Sequence, residues 1–299
     1  MEAPSKGIVF ITGIDGFTGN HLEAELLKQG FQVYGSTFKK PENPNHFQCN
    51  ILEKEQLEVV FDKTKPVYVI HLAAISFVAS ENIPMMYETN ILGTLNVLDV
   101  LASAGFPIKK VLVASSAAVY GNIGNELSEQ MMPRPVNHYG NSKLAMENMV
   151  SNYFEKLNII ITRPFNYTGP GQEEHFLIPK IIAHFKTNKE VIELGNTGTY
   201  REYNDVRFVC KLYVDLLKAG SVSEVVNVGS GKTYSIKQIL QTMEDLTDHS
   251  IRVEVNPKFV RANEILELKS DTRNLKKILN RKSLGIYPLK ETLDSMLNA

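Results

Sequence analysis

Tyr139 and Lys143 stand four residues apart, a spacing that puts both side chains on one face of a helix. An ammonium beside a phenol favours phenolate and draws its pKa down from about 10 towards neutrality. A tyrosine so placed can pass a proton to or from a carbonyl or hydroxyl oxygen while hydride moves at the attached carbon. Roughly 25 residues upstream, Val111–Tyr120 (VLVASSAAVY) is a buried strand running into Ser115 and Ser116. A hydroxyl at the carboxyl end of a parallel strand faces the ligand crevice. Ser116 can therefore share the reacting oxygen with Tyr139, completing a Ser-Tyr-Lys set in which Lys143 also holds a ribose.

Positioning such a set falls to an alternation of short apolar runs and amphipathic stretches. Gly7–Ile11 (GIVFI), Phe31–Gly35, Val67–Leu72 (VYVIHL), Lys110–Ser115 and Asn158–Thr162 are strand candidates, rich in β-branched and aromatic residues without polar alternation. Helices are expected over Gly19–Gly30, Ile91–Ala104 and from about Tyr139 to Leu157. Strand–helix repetition of this kind implies an α/β fold, a doubly wound parallel sheet of Rossmann type. After Arg163-Pro164 the rhythm loosens, which predicts a dinucleotide-binding domain over 1–165 and a smaller C-terminal substrate lobe over 166–299. Val225–Val228 is a late strand that brings the chain back to the sheet near 204–230.

The first strand leads into Thr12-Gly13-Ile14-Asp15-Gly16-Phe17-Thr18-Gly19 and then a helix. Gly13 permits the tight turn, Gly16 lets backbone approach a pyrophosphate, and Gly19 lets helix and sheet pack closely. The helix N-terminus offers free N–H groups and a positive dipole end. At the end of the second strand an acid would select a ribose 2′-hydroxyl. The sequence instead has Ser36, Thr37, Phe38, Lys39 and Lys40. Hydroxyls and cations there favour NADP(H), with NAD(H) left open.

Thirty-two basic against 33 acidic residues give a net charge of −1, so no global field draws in nucleic acid or an anionic membrane. No apolar run reaches the roughly 18 residues of a membrane span, and the N-terminus has no signal-peptide hydrophobic region. Two cysteines, Cys49 and Cys210, make no disulfide framework, and seven dispersed histidines show no metal-ligand spacing. A cytoplasmic globular protein without a metal is expected. His71, after a buried strand, is read as a core or loop histidine rather than a base, and His138 as a possible lining of the crevice. Asn166-Tyr167-Thr168 fits a glycosylation acceptor, which a cytoplasmic chain does not use.

Together TGIDGFTG, His71–Ala74 (HLAA), Ser115–Gly121 (SSAAVYG), YGNSK and Arg163-Pro164-Phe165-Asn166 resemble the extended short-chain dehydrogenase/reductase family, in order and over nearly the whole chain. Members work largely on nucleotide-diphosphate sugars. Within the family, Arg163–Gln172 (RPFNYTGPGQ) is similar to a segment of the GDP-6-deoxy-4-keto-mannose reductases and the GDP-mannose 4,6-dehydratases. The resemblance implies cofactor contacts from Gly13, Gly16, Phe17, Gly19, Ser36, Thr37, Lys39, Asn50, Ile51, Leu72, Ala73, Ala74, Asn90, Tyr139 and Lys143. It implies sugar or nucleotide contacts from Ser76, Ser116, Asn166, Arg201, Arg261 and Glu264, the two arginines suiting a diphosphate. It also implies a homodimer through the Ile91–Ala104 and Tyr139–Leu157 helices.

Departures from the family pattern carry mechanistic content. Family dehydratases place an acid just after the hydroxyl residue of this strand end, where this chain has Ala117 and Ala118. Methyl groups do no acid–base work, so plain hydride transfer is favoured over dehydration. Tyr167 stands where the reductases have histidine, and Cys49-Asn50 where an aspartate commonly meets adenine. The expected reaction is reduction of a nucleotide-linked 4-keto-6-deoxy sugar, GDP-4-keto-6-deoxy-mannose to GDP-rhamnose in first place. A nucleotide-sugar 4-epimerase with retained NAD and a non-catalytic dinucleotide-binding protein remain open alternatives. The sequence leaves the base and the configuration at C4 undetermined.

Overall fold

Unbroken β-branched runs are stable as strands only when helices cover both of their faces, and that is how the chain is arranged. The computed structural model describes residues 6–76, 82–259 and 265–299. Seven strands form one parallel sheet: β1 (Ile8–Thr12), β2 (Gln32–Thr37), β3 (His46–Gln48), β4 (Tyr68–His71), β5 (Lys110–Ala114), β6 (Ile159–Pro164) and β7 (Glu224–Val228). Their spatial order is β7-β6-β5-β4-β1-β2-β3, every pairing parallel. The order reverses between β1 and β4, the switch point beside which ligands bind in open parallel sheets.

Alternate strand residues serve opposite faces. Val9, Ile11, Ile70, Leu112 and Ile160 point into one core, roofed by α1 (Phe17–Lys28) and by Val206–Lys218. Phe10, Val69, Val111, Val113, Ile159 and Ile161 point into the other. That second face is covered by α2 (Lys54–Thr64), α3 (Thr94–Ala102) and α4 (His138–Val150). Each such side chain, fully buried, contributes roughly 1.5–3 kcal/mol.

Two elements differ from expectation. The helix foreseen from Ile91 begins as a π-turn over Glu88–Gly93, and the helix foreseen to Leu157 ends at Val150 in a tight turn, Ser151–Tyr153. That turn brings the Tyr153 hydroxyl onto Asp99 at 2.6 Å, tying α4 to α3.

Beyond β6 the chain builds a lobe and then returns. Helices α5 (Leu177–Lys186), α7 (Ile236–Thr247) and α8 (Leu289–Leu297) surround a parallel pair, Val191–Leu194 with Arg252–Val255. Ile181, Ile192, Ile239, Met243 and Leu293 fill a third core, separate from the two on the faces of the sheet. In between, α6 (Val206–Lys218) crosses back over the sheet and β7 becomes its seventh strand. On the outer side of β7, Glu129 accepts the N–H of Asn227 at 2.8 Å and Asn274 donates to the carbonyl of Val225 at 3.4 Å. The opposite edge strand, β3, is three residues long.

Candidate active site

Ser116 ends the loop after β5 and caps the short turn Ala117–Tyr120, its Oγ accepting the N–H of Ala118 at 3.1 Å. Opposite it, α4 begins at Asn137, whose side chain accepts the N–H of Gly140 at 2.8 Å and so fixes where Tyr139 emerges. The Ser116 hydroxyl lies close enough to the Tyr139 phenol to favour its ionised form. One turn along, Lys143 is buried, and its ammonium donates to the carbonyl of Ala114 at 2.8 Å. The structure thus gathers Ser116, Tyr139 and Lys143 at the carboxyl ends of β5 and β6.

The electrostatics reverse one expectation. The Tyr139 phenol is raised above its ordinary value, because burial outweighs the opposing effect of Ser116. Lys143 does not draw it down, since that ammonium is turned onto Ala114. Burial also lowers Lys143, to about 8, against the opposing charge of Glu147. Glu147 lies one turn beyond Lys143 and is fixed by Arg163, at 2.9 and 3.2 Å from Nε and 2.6 Å from Nη2. At neutral pH the phenol carries its proton, the form that gives one to an alkoxide.

Several expected contact residues form a continuous buried scaffold. Thr94 donates its hydroxyl proton to the carbonyl of Asn90 at 2.8 Å, so it accepts from His71 Nε2 at 2.9 Å. His71 Nδ1 then accepts from Thr12 at 2.7 Å, and Thr12 accepts the N–H of Ala73 at 3.3 Å. His71 is held neutral at about 3, by burial and then by the charge of Lys143. Asn90, expected to meet the cofactor, has its side chain committed elsewhere. Its Oδ1 accepts from Ile75 N at 2.8 Å, and its amide donates to Ile75 O and Ser142 Oγ, both at 3.0 Å. It positions the HLAA turn and α4.

At the glycine loop a Cβ on Gly13 would lie 2.9 Å from the Ala73 backbone, and one on Gly19 would lie 2.4 Å from the carbonyl oxygen of Ile14. Gly13 also has φ +71°. Gly16 caps α1 without a side-chain hydrogen bond, and no acid occupies the first turn. The N-terminal amides of α1 therefore have no competing anion of their own, the arrangement a pyrophosphate requires. The residues fit a dinucleotide laid across β1 and β4 towards Tyr139.

At the end of β2, the carbonyl of Ser36 accepts from Gly13 N and Ile14 N at 2.8 and 3.1 Å, while its side chain is buried. Thr37 Oγ1 accepts the N–H of Lys39 at 3.2 Å, and Phe38, Lys39 and Lys40 are exposed. Asn50 Oδ1 accepts from Leu52 N at 3.1 Å, and Ile51 packs beneath Gly93. Leu72, Ala73 and Ala74 follow β4 and are half-buried. Asn166 and Ser76 are exposed. Arg201 donates to the carbonyl of its neighbour Tyr200 at 2.8 Å. Arg261 and Glu264 lie outside the described residues.

Sequence reasoning missed Thr94, whose role no local signal announces, and Glu147, which the four-residue spacing from Lys143 could have revealed. It also missed Glu202, a buried carboxylate that accepts from Ser230 N at 2.7 Å, Asn204 Nδ2 at 3.0 Å and Ser270 N at 2.5 Å. Glu202 joins the strand end of β7 to the lobe. Among the described residues no group of His, Cys, Asp and Glu could hold a metal ion, and no helix is long and apolar enough to cross a membrane.

Residues 10–284 match the family model described as GDP-mannose 4,6 dehydratase. The chain belongs to this family. It is an enzyme of the extended short-chain dehydrogenase/reductase type. The GDP-6-deoxy-D-talose 4-dehydrogenase of Aggregatibacter actinomycetemcomitans is 33% identical, over 91% of this chain and 90% of its own. The GDP-6-deoxy-D-mannose reductase of Pseudomonas aeruginosa is 31% identical, over 86% and 85%. The solved structure of RMD from Pseudomonas aeruginosa with NADPH aligns at a TM-score of 0.86 and 28% identity, covering 98% of each chain.

Proposed function

We propose that the enzyme reduces the C4 ketone of GDP-4-keto-6-deoxy-mannose with NADPH, giving GDP-6-deoxy-mannose (GDP-rhamnose). The observation that carries this reading is a protonated Tyr139 beside Ser116, with Ala117 and Ala118 on the adjoining turn. When bound, the dinucleotide supplies hydride to C4. Ser116 and Tyr139 together bind the carbonyl oxygen, and Tyr139 transfers its proton to that oxygen as charge develops there. Lys143 holds the nicotinamide ribose and keeps a positive charge near the site. With methyl groups at positions 117 and 118, no side chain there removes a proton from the sugar, so elimination of water has no agent despite the family's name.

Both named relatives support a GDP-linked 6-deoxyhexose, and the two differ in product. 6-Deoxy-mannose and 6-deoxy-talose are C4 epimers, so the same residues yield either, depending on which face of the ketone meets hydride. Lys39, exposed and without an acid beside it, supports NADPH, as does the NADPH-bound structure. The reading includes a cytoplasmic homodimer that covers Leu92 and Met149, 52% and 39% exposed. By the family resemblance, Arg261 and Glu264 hold the nucleotide.

The test is oxidation of NADPH and of NADH, each with GDP-4-keto-6-deoxy-mannose, with the product assigned by NMR. NADPH consumed only when sugar is present, with 6-deoxy-mannose formed, supports the whole proposal. A 6-deoxy-talose product corrects the stereochemistry alone. No turnover, with NAD retained through purification, replaces the reductase by a 4-epimerase.

A further inference from the structure

Phe17 opens α1 directly after the phosphate-facing loop, and its ring stacks on Tyr167 with centroids 6.0 Å apart and planes 15° from parallel. Thr18, the next residue, shares a 2.7 Å hydrogen bond with the Tyr167 hydroxyl. One turn on, His21 bonds the carbonyl of Pro170 at 2.8 Å and sets its ring edge against Phe17. The first turn of α1 is thereby fastened to the loop that carries Asn166. The fastening has no slack on its far side: a Cβ on Gly169 would lie 2.4 Å from Val206 of α6. Tyr167 also neighbours Tyr139 closely enough for the two phenols to interact electrostatically. It therefore touches the loop that cradles a pyrophosphate and borders the group that moves the proton.

A dinucleotide running from that cradle to Tyr139 spans the two places between which Tyr167 lies. We propose that Tyr167 is a positioning residue for the nicotinamide end, a pin that holds cofactor loop and substrate loop in one register and thereby sets the ring against Tyr139. This deepens the reductase reading and rests on it for the reaction, though not for the binding. Tyr167 is not itself a proton donor in the reaction. Burial pushes its phenol up to about 12, against the hydrogen bond from Thr18, so it keeps its proton throughout the working range. Its contribution is geometric, and a displacement of the order of 1 Å in a reacting pair costs about 100-fold in rate.

The experiment compares wild type, Tyr167→Phe and Tyr167→Ala in two readouts. The first is NADPH titration, giving Kd and the fluorescence emission per bound nucleotide, which reports how the nicotinamide ring is held. The second is kcat and KM for the reduction. For Tyr167→Ala the expectation is a Kd within about fivefold of wild type, because the pyrophosphate cradle survives. Emission per bound nucleotide should shift towards that of free NADPH, and kcat should fall about 100-fold. Tyr167→Phe keeps the ring stack and loses only the bond to Thr18, so it should restore most of the emission and all but about tenfold of kcat. Equal emission per bound nucleotide in all three proteins overturns the proposal, as does a Tyr167→Ala enzyme with wild-type kcat. A wild type that binds NADPH but reduces no 4-keto sugar removes the reductase reading alone, and the emission comparison still decides the role of Tyr167.

Discussion

At neutral pH Tyr139 keeps its proton because burial raises it, while the same burial brings Lys143 within reach of the physiological range. Tyr139→Phe should therefore lower kcat by about 100- to 10,000-fold with little change in melting temperature, since the ring that fills the site is kept. If Lys143 serves the proposed reduction as its ammonium, kcat/KM should fall as pH rises through about 8, which a pH–rate profile measures. The ammonium's effect on stability has the opposite sign. The fold sheds this proton near pH 8 and the unfolded chain near 10.5, so the cost of burying the ammonium is fully present below about 8 and is relieved as pH climbs towards 10.5. Lys143→Met should raise the urea midpoint at pH 7, and the gain should shrink at pH 9.5. A gain independent of pH would show that the ammonium is not the source of the cost.

Helix α4 carries Tyr139 and Lys143, and what holds it is a buried ion pair. Arg163 leaves β6 and grips Glu147 with both side chains nearly inaccessible, at 6% and 5%. Removing one partner of such a pair leaves the other charge uncompensated, at a cost of about 3–5 kcal/mol. Arg163→Leu should lose that much in urea unfolding, with kcat falling further than the population of folded protein explains. Tyr120 reinforces the pair, its hydroxyl accepting from Arg163 at 3.0 Å and donating to Asn227 of β7 at 2.7 Å. How far the sequence discloses such arrangements depends on distance along the chain. The strand GIVFI, the glycine loop and the four-residue spacing of Tyr139 and Lys143 are local patterns, and the structure realises them within a few residues. Helix α2 carries Leu57, Val60 and Phe61 at helical spacing, all buried, among enough charged residues to hide them from a reading by apolar runs. The lobe's strands at Tyr200–Arg201 and Tyr234–Ser235 are two residues long, too short for any periodicity. Asn90 and Ser142, 52 residues apart, meet only because α4 folds beside the π-turn. No spacing encodes that.

At the scale of the whole molecule, the sheet is not complete until residue 228. Val226 and Val228 are fully buried in it, and α6 supplies Phe208, Leu212, Val214 and Leu216 to the core over β1 and β4. A fragment ending at residue 165 lacks both the seventh strand and this roof. It should be insoluble or bind a hydrophobic dye strongly, with no cooperative thermal transition, whereas the full chain should melt cooperatively and be stabilised by saturating NADPH by about 2.7 kcal/mol at 100 times Kd. The same architecture bears on behaviour at high concentration. A parallel sheet has two flanks at which a foreign chain could add. One is β3, only three residues long. On the other, Glu129 and Asn274 occupy the outward N–H of Asn227 and the outward carbonyl of Val225, the very groups an incoming strand would need. These two side chains act as stoppers against templated stacking. Replacing both by alanine should leave turnover intact while turning a clear concentrated solution into one that scatters light and seeds fibrils.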